Sequence, residues 1–379
     1  MFEVFCSPTS LSCTGTVSFG QSRIKFYEMN KFKNIIILFI LSLYTVSSFI
    51  PLSKSDYWWI RAWDFPRLQF FTIGLFFLLL FIWIHKSHLK KQYFLLLFTV
   101  VALFLDGYRI LPYTPIYPIE SKKVEAKSSE SVVSVLISNV YQKNQSSKDL
   151  LELIKKKSPD MILLLEINEE WIGRLEELKK EYPYIVSRPL ENTYGLAFYS
   201  RLKIVNSTIH FLVETDVPSV QATIETRNGR HIEIFGVHPK PPVPSAGNSI
   251  ERDAELILIA KAAVKIKTPV LVLGDLNDVA WSHTSRLFRR ISELKDPRVG
   301  RGVYPTFPVY LPFWRFPLDY VFHSTQLNLV EIERLEDIGS DHFPLMVTFI
   351  YDLAKDKKKN DGRKPEDDKE ANKIIDKAL

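Results

Sequence analysis

Three apolar runs near the N-terminus, residues 34–52, 68–84 and 92–105, constrain this chain more than anything after them. A bilayer span needs roughly 17–25 mostly apolar residues. Lipid offers the backbone no hydrogen bonds, so such a run must be helical. The first run is long enough to cross, and the second is at the lower end of the range. The third is shorter, with Asp106-Gly107-Tyr108 carrying it to the interface. Its alternative is a re-entrant or buried helix. No Ala-x-Ala-like site follows the first run, which argues against a cleaved signal peptide. Lys25, Lys31 and Lys33 precede the first run, and Lys86, Lys90 and Lys91 separate the second from the third. The positive-inside tendency puts both clusters in the cytoplasm. With three spans, everything after Tyr108 lies on the periplasmic or extracytoplasmic face. With two, it is cytoplasmic. Trp58, Trp59 and Trp63 in the first loop suit either an interfacial aromatic belt or a small packed cap.

The remaining organisation follows composition. Residues 1–33 read as a Ser/Thr-rich, irregular lead, and Met29-Asn30-Lys31 resembles a natural start before an anchor. Residues 34–106 are the membrane anchor, and 107–130 a Pro-rich, then charged, linker. A globular domain occupies 131–352. Residues 353–379 are nearly all polar and charged, which predicts a solvated, disordered tail. Between 131 and 350 there are 26 Lys+Arg against 27 Asp+Glu, although the whole chain carries +6. The excess positive charge therefore flanks the membrane runs, and composition advertises no basic nucleic-acid groove. Cys6 and Cys13 are the only cysteines. A disulfide framework or Cys-based zinc site downstream is excluded.

Within the domain, short apolar runs predict strands near 132–137, 161–165, 196–199, 204–211, 219–225, 231–237, 270–273, 318–322, 327–334 and 345–350. Helices are expected over 147–157, 169–181 and 248–264. This alternation predicts an α+β fold, a four-layer α/β sandwich of two packed mixed β-sheets flanked by helices, preceded by transmembrane helices. The sharpest stretch is Val270-Leu271-Val272-Leu273-Gly274-Asp275-Leu276-Asn277-Asp278. Its buried strand is expected to stop at Gly274, where the backbone turns. Alternation places the side chains of Asp275 and Asn277 on one face. A carboxylate and a carboxamide emerging together suit a site that deprotonates a water and holds it in line. The alternative is an ordinary turn.

Other polar residues also end apolar runs: Asn139, Glu166, His238, Asp319, and Asp341 with His342. Strand ends on one edge of a sandwich would gather them in a single cleft. This series resembles the endonuclease/exonuclease/phosphatase superfamily, which includes DNase I-like nucleases, abasic-site endonucleases, inositol polyphosphate 5-phosphatases and neutral sphingomyelinases. Gly274-Asp275-Leu276-Asn277 and Gly339-Ser340-Asp341-His342 are its most specific parts. His238-Pro239-Lys240-Pro241-Pro242, Arg301-Gly302 and Pro305-Thr306-Phe307-Pro308 resemble a bacterial branch with N-terminal membrane spans. Tyr141 departs from the acidic residue common in abasic-site enzymes, and Tyr320 from the His that often follows the Asp.

The resemblance implies roles. Glu166 would be a metal carboxylate, Asp341 a second, and Asn139 a support for the metal or a phosphate oxygen. Carboxylate and amide ligands suit Mg²⁺, or Mn²⁺. Asp275 would take a proton from the attacking water, and Asn277 would hold that water or a phosphate oxygen. His342, paired with Asp319, would stabilise charge building on phosphate. His238 would contact phosphate or protonate the leaving group. Tyr194 and Arg301 are candidate substrate contacts, and Arg286, Arg289, Arg290 and Arg298 a basic segment beside the cleft. The implied activity is a membrane-anchored, metal-dependent phosphodiesterase. Its partners would be a bilayer and either nucleic acid or a phospholipid or sphingolipid head group, with no obligate protein partner. The apolar loop Val309-Tyr310-Leu311-Pro312-Phe313-Trp314 favours a membrane-proximal substrate, unless it packs on the domain's own core. A scaffold that kept the fold and lost the chemistry is the alternative.

Overall fold

The computed structural model describes residues 16–84, 89–125, 132–245, 247–352 and 362–379. Residues 1–15, the connection holding Lys86, and 353–361 lie outside the described residues. The chain forms two compact units, Met1–Ser47 with Phe70–Phe104, and Ser48–Gln69 with Leu105–Leu379.

Helices α1 (Thr16–Phe49), α2 (Trp58–Arg61), α3 (Arg67–Ile84) and α4 (Tyr93–Ile110) precede the sheets. Among the described residues, three stretches are long and apolar enough to cross a membrane: Phe32–Ser53, Arg67–Ile84 and Tyr93–Tyr113. In the first unit α1 and α3 approach closely, because a Cβ on Gly74 would sit 2.5 Å from the Tyr44 ring. Thr45 Oγ1 and Thr99 Oγ1, 2.9 Å apart, tie α1 to α4. The irregular lead expected up to residue 33 is corrected from Thr16 onward, where α1 already runs.

The second unit holds two sheets. The first has strand order β10-β11-β1-β2-β4-β3, from β1 (Val132–Asn139), β2 (Met161–Leu165), β3 (Tyr184–Arg188), β4 (Leu196–Ser200), β10 (Leu327–Arg334) and β11 (Leu345–Tyr351). The second has order β5-β6-β7-β8-β9, from β5 (Lys203–His210), β6 (Ser219–Glu225), β7 (His231–Val237), β8 (Val270–Asp275) and β9 (Asp319–His323). Alternation along each strand separates the layers. Leu271 and Leu273 join Val135, Ile137 and Leu163 between the sheets. Val270 and Val272 face α7 (Ile250–Lys265) and α8 (His283–Ser292). On the other sheet Leu136 and Ile162 face α5 (Lys148–Lys157) and α6 (Glu169–Arg174). The result is the expected four-layer sandwich. It adds β3 and α8, which the sequence reading lacks, and replaces the single helix at 169–181 with α6 and a 3₁₀ turn at Glu176–Lys180.

Three segments outside the sandwich differ from expectation. The 107–130 linker is not a free tether where it is described. Tyr113 is buried against Trp281, with ring centroids 6.2 Å apart. Glu120 receives two bonds of 2.8 Å from Arg289, and Val124 N–H donates to Leu329 O at 2.9 Å. The tail is not wholly disordered, since it forms α9 (Pro365–Ala378). Ala371 is buried and Ile374 and Ile375 pack on the same core, while Asp367 pairs with Arg290 at 2.9 Å. Finally, the loop 48–69 belongs to the second unit. The buried pair Arg61–Asp253 (2.7 Å) and the bond from Trp281 Nε1 to Asp64 O (2.7 Å) fasten it there. Ile60 and Arg61 of this loop are buried, whereas Trp59 is 49% exposed.

Candidate active site

Strand register gathers the polar residues. β1 and β2 are parallel with Asn139 opposite Leu165, so Asn139 and Glu166 leave the first sheet at one edge. β7 and β8 are parallel with Val237 opposite Gly274, so His238 and Asp275 leave the second sheet together. Asp319 faces Asp275 across the antiparallel β8–β9 pair. The expected stop at Gly274 is corrected, because β8 runs through Asp275. Gly274 has another reason. Its φ is +140°, and a Cβ there would lie 1.9 Å from Val237 O, so only glycine lets these strands close up. Glu166 (φ +62°) and Asn277 (φ +50°) both adopt the left-handed region just past a strand end. Such local strain is concentrated at functional sites.

His342 sits between two carboxylates. Its Nδ1 is 2.9 Å from Asp319 Oδ2, and its Nε2 is 3.5 Å from Asp275 Oδ2. Ser340 Oγ donates to Asn139 O (2.7 Å) and accepts from His342 N–H (3.1 Å), which pins this loop to β1. Burial opposes a charge on His342. Asp319 and then Asp275 outweigh burial, and the pKa rises to about 10. Burial lifts the Asp275 carboxyl to about 7, within range of proton transfer at neutral pH. Asp275 Oδ1 accepts from Asn277 N–H at 2.9 Å, while Asn277 Nδ2 donates to Pro239 O at 2.9 Å. Asn277 thereby holds the loop that follows His238. Burial, reinforced by His342, drops the His238 pKa to about 4, which favours a neutral imidazole at this edge. Its Nε2 stands 3.8 Å from Asp275 Oδ2.

Asn139 Nδ2 donates to Glu166 Oε1 (3.0 Å) and lies 3.4 Å from Asp275 Oδ2, aligning both carboxylates. Burial above all, with Asp341 adding to it, raises the Glu166 pKa. These groups open onto a cleft of about 490 Å³. Its described lining includes Glu166, Asp275 and Asp341 but no Lys or Arg. Carboxylates so placed fit a divalent cation. Ligand atoms of Asp275, Asp319 and His342 also lie within 4.8 Å of one another. Both ring nitrogens of His342 face carboxylates there, whereas Glu166 and Asp341 line the cleft beside them.

Tyr194 lines the cleft, its ring 5.7 Å from His238. Arg301 does not. Its guanidinium donates to Pro297 O (3.0 Å) and to Ser121 O, fastening the 107–125 segment. The basic segment is also corrected. Arg286, Arg289 and Arg290 line a different cavity, and buried Arg298 pairs with Asp296 while its guanidinium lies 3.9 Å from the Tyr320 ring centroid. That stack, with Tyr320 OH donating to Asp278 O (2.9 Å), gives Tyr320 a structural role in place of His. Sequence reasoning missed the apolar wall. Ala62, Phe65 and Pro66 come from the first loop, joined by Phe307, Phe316 and Val243. Phe307 stacks 4.7 Å from His342. In the expected apolar loop, Phe313 is 92% exposed and Tyr310 68%, so packing on the domain's own core does not describe it.

No curated protein matches the chain in sequence. Among solved structures, the human Nocturnin catalytic domain with bound sulfate is similar, at 20% identity and TM-score 0.49 over 61% of this chain and 98% of that one. An endonuclease/exonuclease/phosphatase from Beutenbergia cavernae shows 16% identity and TM-score 0.47 over 59% and 72%. The D. rerio TDP2 complexed with single-strand DNA product shows 16% and 0.46 over 58% and 99%. The model of the Endonuclease/Exonuclease/phosphatase family matches residues 136–342, which run from β1 to His342 and take in every group of the cleft floor, and the chain belongs to that family.

Proposed function

We propose that this protein is a membrane-anchored, divalent-metal-dependent phosphodiesterase acting on an amphiphilic substrate, a lipid-borne phosphodiester. One observation carries the reading. A carboxylate-and-imidazole floor meets an apolar wall supplied by the loop between the first two candidate spans. Asp275 accepts a proton from the attacking water, aligned by Asn139. The His342 imidazolium, held by Asp319, donates to the phosphate as negative charge builds. His238 offers a neutral hydrogen bond at the same edge. Glu166 and Asp341 would hold Mg²⁺ or Mn²⁺, which supplies charge neutralisation and Lewis acidity at the phosphate. A nucleic-acid substrate would call for a cationic groove, and the described lining holds no Lys or Arg.

Topology supports the membrane part. Residues 48–69 and 105–379 fold into one unit, which supports placing the first loop and the sandwich on one side of the bilayer. The intervening α3 and α4 then cross out and back, and with α1 this favours three spans. The Lys-bearing connections would face the cytoplasm and the catalytic unit the opposite side.

The test uses the full chain in detergent or nanodiscs with Mn²⁺ or Mg²⁺. It is offered phospholipids, sphingomyelin, single- and double-stranded DNA, and RNA. Hydrolysis of a lipid, lost with chelator and in Asp275→Asn, is expected. Exclusive hydrolysis of nucleic acid would overturn the substrate assignment, and inactivity of folded, metal-loaded protein on every substrate would favour the scaffold alternative.

A further inference from the structure

A second cavity, about 730 Å³, lies apart from the catalytic cleft and shares no lining residue with it. Its walls come from the residues after α1, the end of α4, helix α8 and the tail helix α9. Six cations face it against three carboxylates. Each carboxylate is already taken. Glu120 binds Arg289 at 2.8 Å, Asp367 binds Arg290 at 2.9 Å, and Glu370 binds Lys54 at 3.0 Å. The cations left over are Arg109, Arg286 and Lys364. Arg109 comes no nearer to a carboxylate than 3.9 Å, from Asp64, and Asp64 already pairs with Arg67 at 2.6 Å. Arg286 makes no ion pair among the described residues, and burial, then Arg290, pulls its pKa below the ordinary value. Two half-buried guanidinium groups, one without an ion pair and one sharing an already paired carboxylate at 3.9 Å, are costly to the fold unless something else neutralises them. A guanidinium fork matches phosphate oxygens in pairs.

We propose that this cavity is a second, non-catalytic binding site for a phosphate-bearing anion, gripped by Arg109 and Arg286. Arg289 and Arg290, held by their own carboxylates, form its back wall. Leu52 and Tyr108 line it at the ends of the first and third apolar stretches. That position makes an anionic lipid head group one source of the phosphate and a free phosphate compound the other. Because α9 contributes Asp367 and Glu370, occupancy would also fasten the tail helix.

The experiment uses the full chain in non-ionic micelles with EDTA, which keeps metal out of the catalytic cleft. Dioctanoyl phosphatidic acid, inorganic phosphate and, as a zwitterionic control, dioctanoyl phosphatidylcholine are titrated separately against the thermal unfolding midpoint. Phosphatidic acid should raise the midpoint and phosphatidylcholine should not. The rise should persist in His342→Ala, weaken by about tenfold in apparent affinity in Arg286→Gln, and vanish in Arg109→Gln/Arg286→Gln. A matching rise with inorganic phosphate identifies a free phosphate compound as sufficient, and its absence assigns the site to lipid. Arg286→Gln without ligand should unfold no lower than the parent, since it removes an unneutralised charge. If the double variant fails to fold, Arg286→Gln decides. A rise that survives Arg286→Gln undiminished, a rise lost in His342→Ala, or no rise with either phosphate compound overturns the proposal.

Discussion

Deleting residues 1–130 should unfold the sandwich unit rather than release it. Three sets of contacts would go at once. Asp253, buried, would lose Arg61 from 2.7 Å and keep Arg252 and the hydroxyl of Ser249. Arg289 would lose both bonds to Glu120. The core that contains Trp281 and Phe316 would lose buried Tyr113 and the packed rings and chains of Phe65 and Leu68. Breaking a buried ion pair costs about 3–5 kcal/mol, and removing a large core side chain costs a similar amount. Arg252 softens the first loss. Even so the total is on the order of 10 kcal/mol, comparable with the roughly 5–15 kcal/mol that holds a domain folded. The assay is thermal unfolding of residues 131–379 beside the full chain in one detergent, followed by tryptophan fluorescence. The fragment should lack a cooperative transition or melt at least about 20 °C lower. A fragment melting cooperatively within about 5 °C of the full chain would refute the claim that the first loop and the 105–125 segment are structural parts of the enzyme.

Other outcomes are narrower. Asp319→Asn should lower kcat by about 10²–10³ and pull the alkaline limb of the pH–rate profile below the value of about 10 set for His342; an unmoved limb contradicts the pairing. Phe65→Ser should raise KM for a long-chain phosphodiester about tenfold through lost apolar contact, yet leave bis(p-nitrophenyl) phosphate hydrolysis unchanged. Glu255→Gln concerns stability. Burial, with Glu214 adding to it, raises the Glu255 carboxyl to about 8, so the folded chain keeps a proton that the unfolded chain releases near 4.5. Stability then falls as pH rises between those values, by on the order of 5 kcal/mol at full effect. The variant should gain thermal stability over the parent at pH 8–9 and little at pH 5.

How much of this was readable beforehand depended on whether position along the chain carried the information. Asn139, Glu166, His238, Asp275 and Asp319 each end or begin an apolar run, and β-register alone brings such residues to one edge. The tail helix was readable in principle. Ala371, Ile374 and Ile375 follow helical spacing, but the surrounding Lys, Asp and Glu masked it as a charged run. Arg301 sat in the expected family motif, yet its guanidinium is spent on the carbonyls of Pro297 and Ser121, which no local pattern discloses. Hardest of all was the cleft wall. Phe65 lies far from Asp275 in sequence, and an aromatic after a candidate membrane span is ordinary there. Its place became visible only through Arg61–Asp253 and Trp281–Asp64, long-range bonds that local propensity does not encode.

The electrostatics of the cleft lead to a final expectation. Glu166, Asp275 and Asp341 line it, Asp319 stands behind His342, and the lining supplies no Lys or Arg. Without a metal the site repels a phosphodiester, and the His342 imidazolium alone does not reverse that. Substrate affinity must then come from the metal and from the apolar wall. Neither resembles a basic groove, where six to ten phosphate contacts would lose about 10³–10⁵ in affinity between 50 and 200 mM salt. A metal at the cleft floor would bind at short range and be screened little, and apolar burial does not weaken with salt. KM for the lipid substrate should therefore change less than about threefold between 50 and 400 mM NaCl at saturating Mn²⁺. A fall in affinity of an order of magnitude or more over that interval would mean that exposed cations hold the substrate, and would return the choice to nucleic acid.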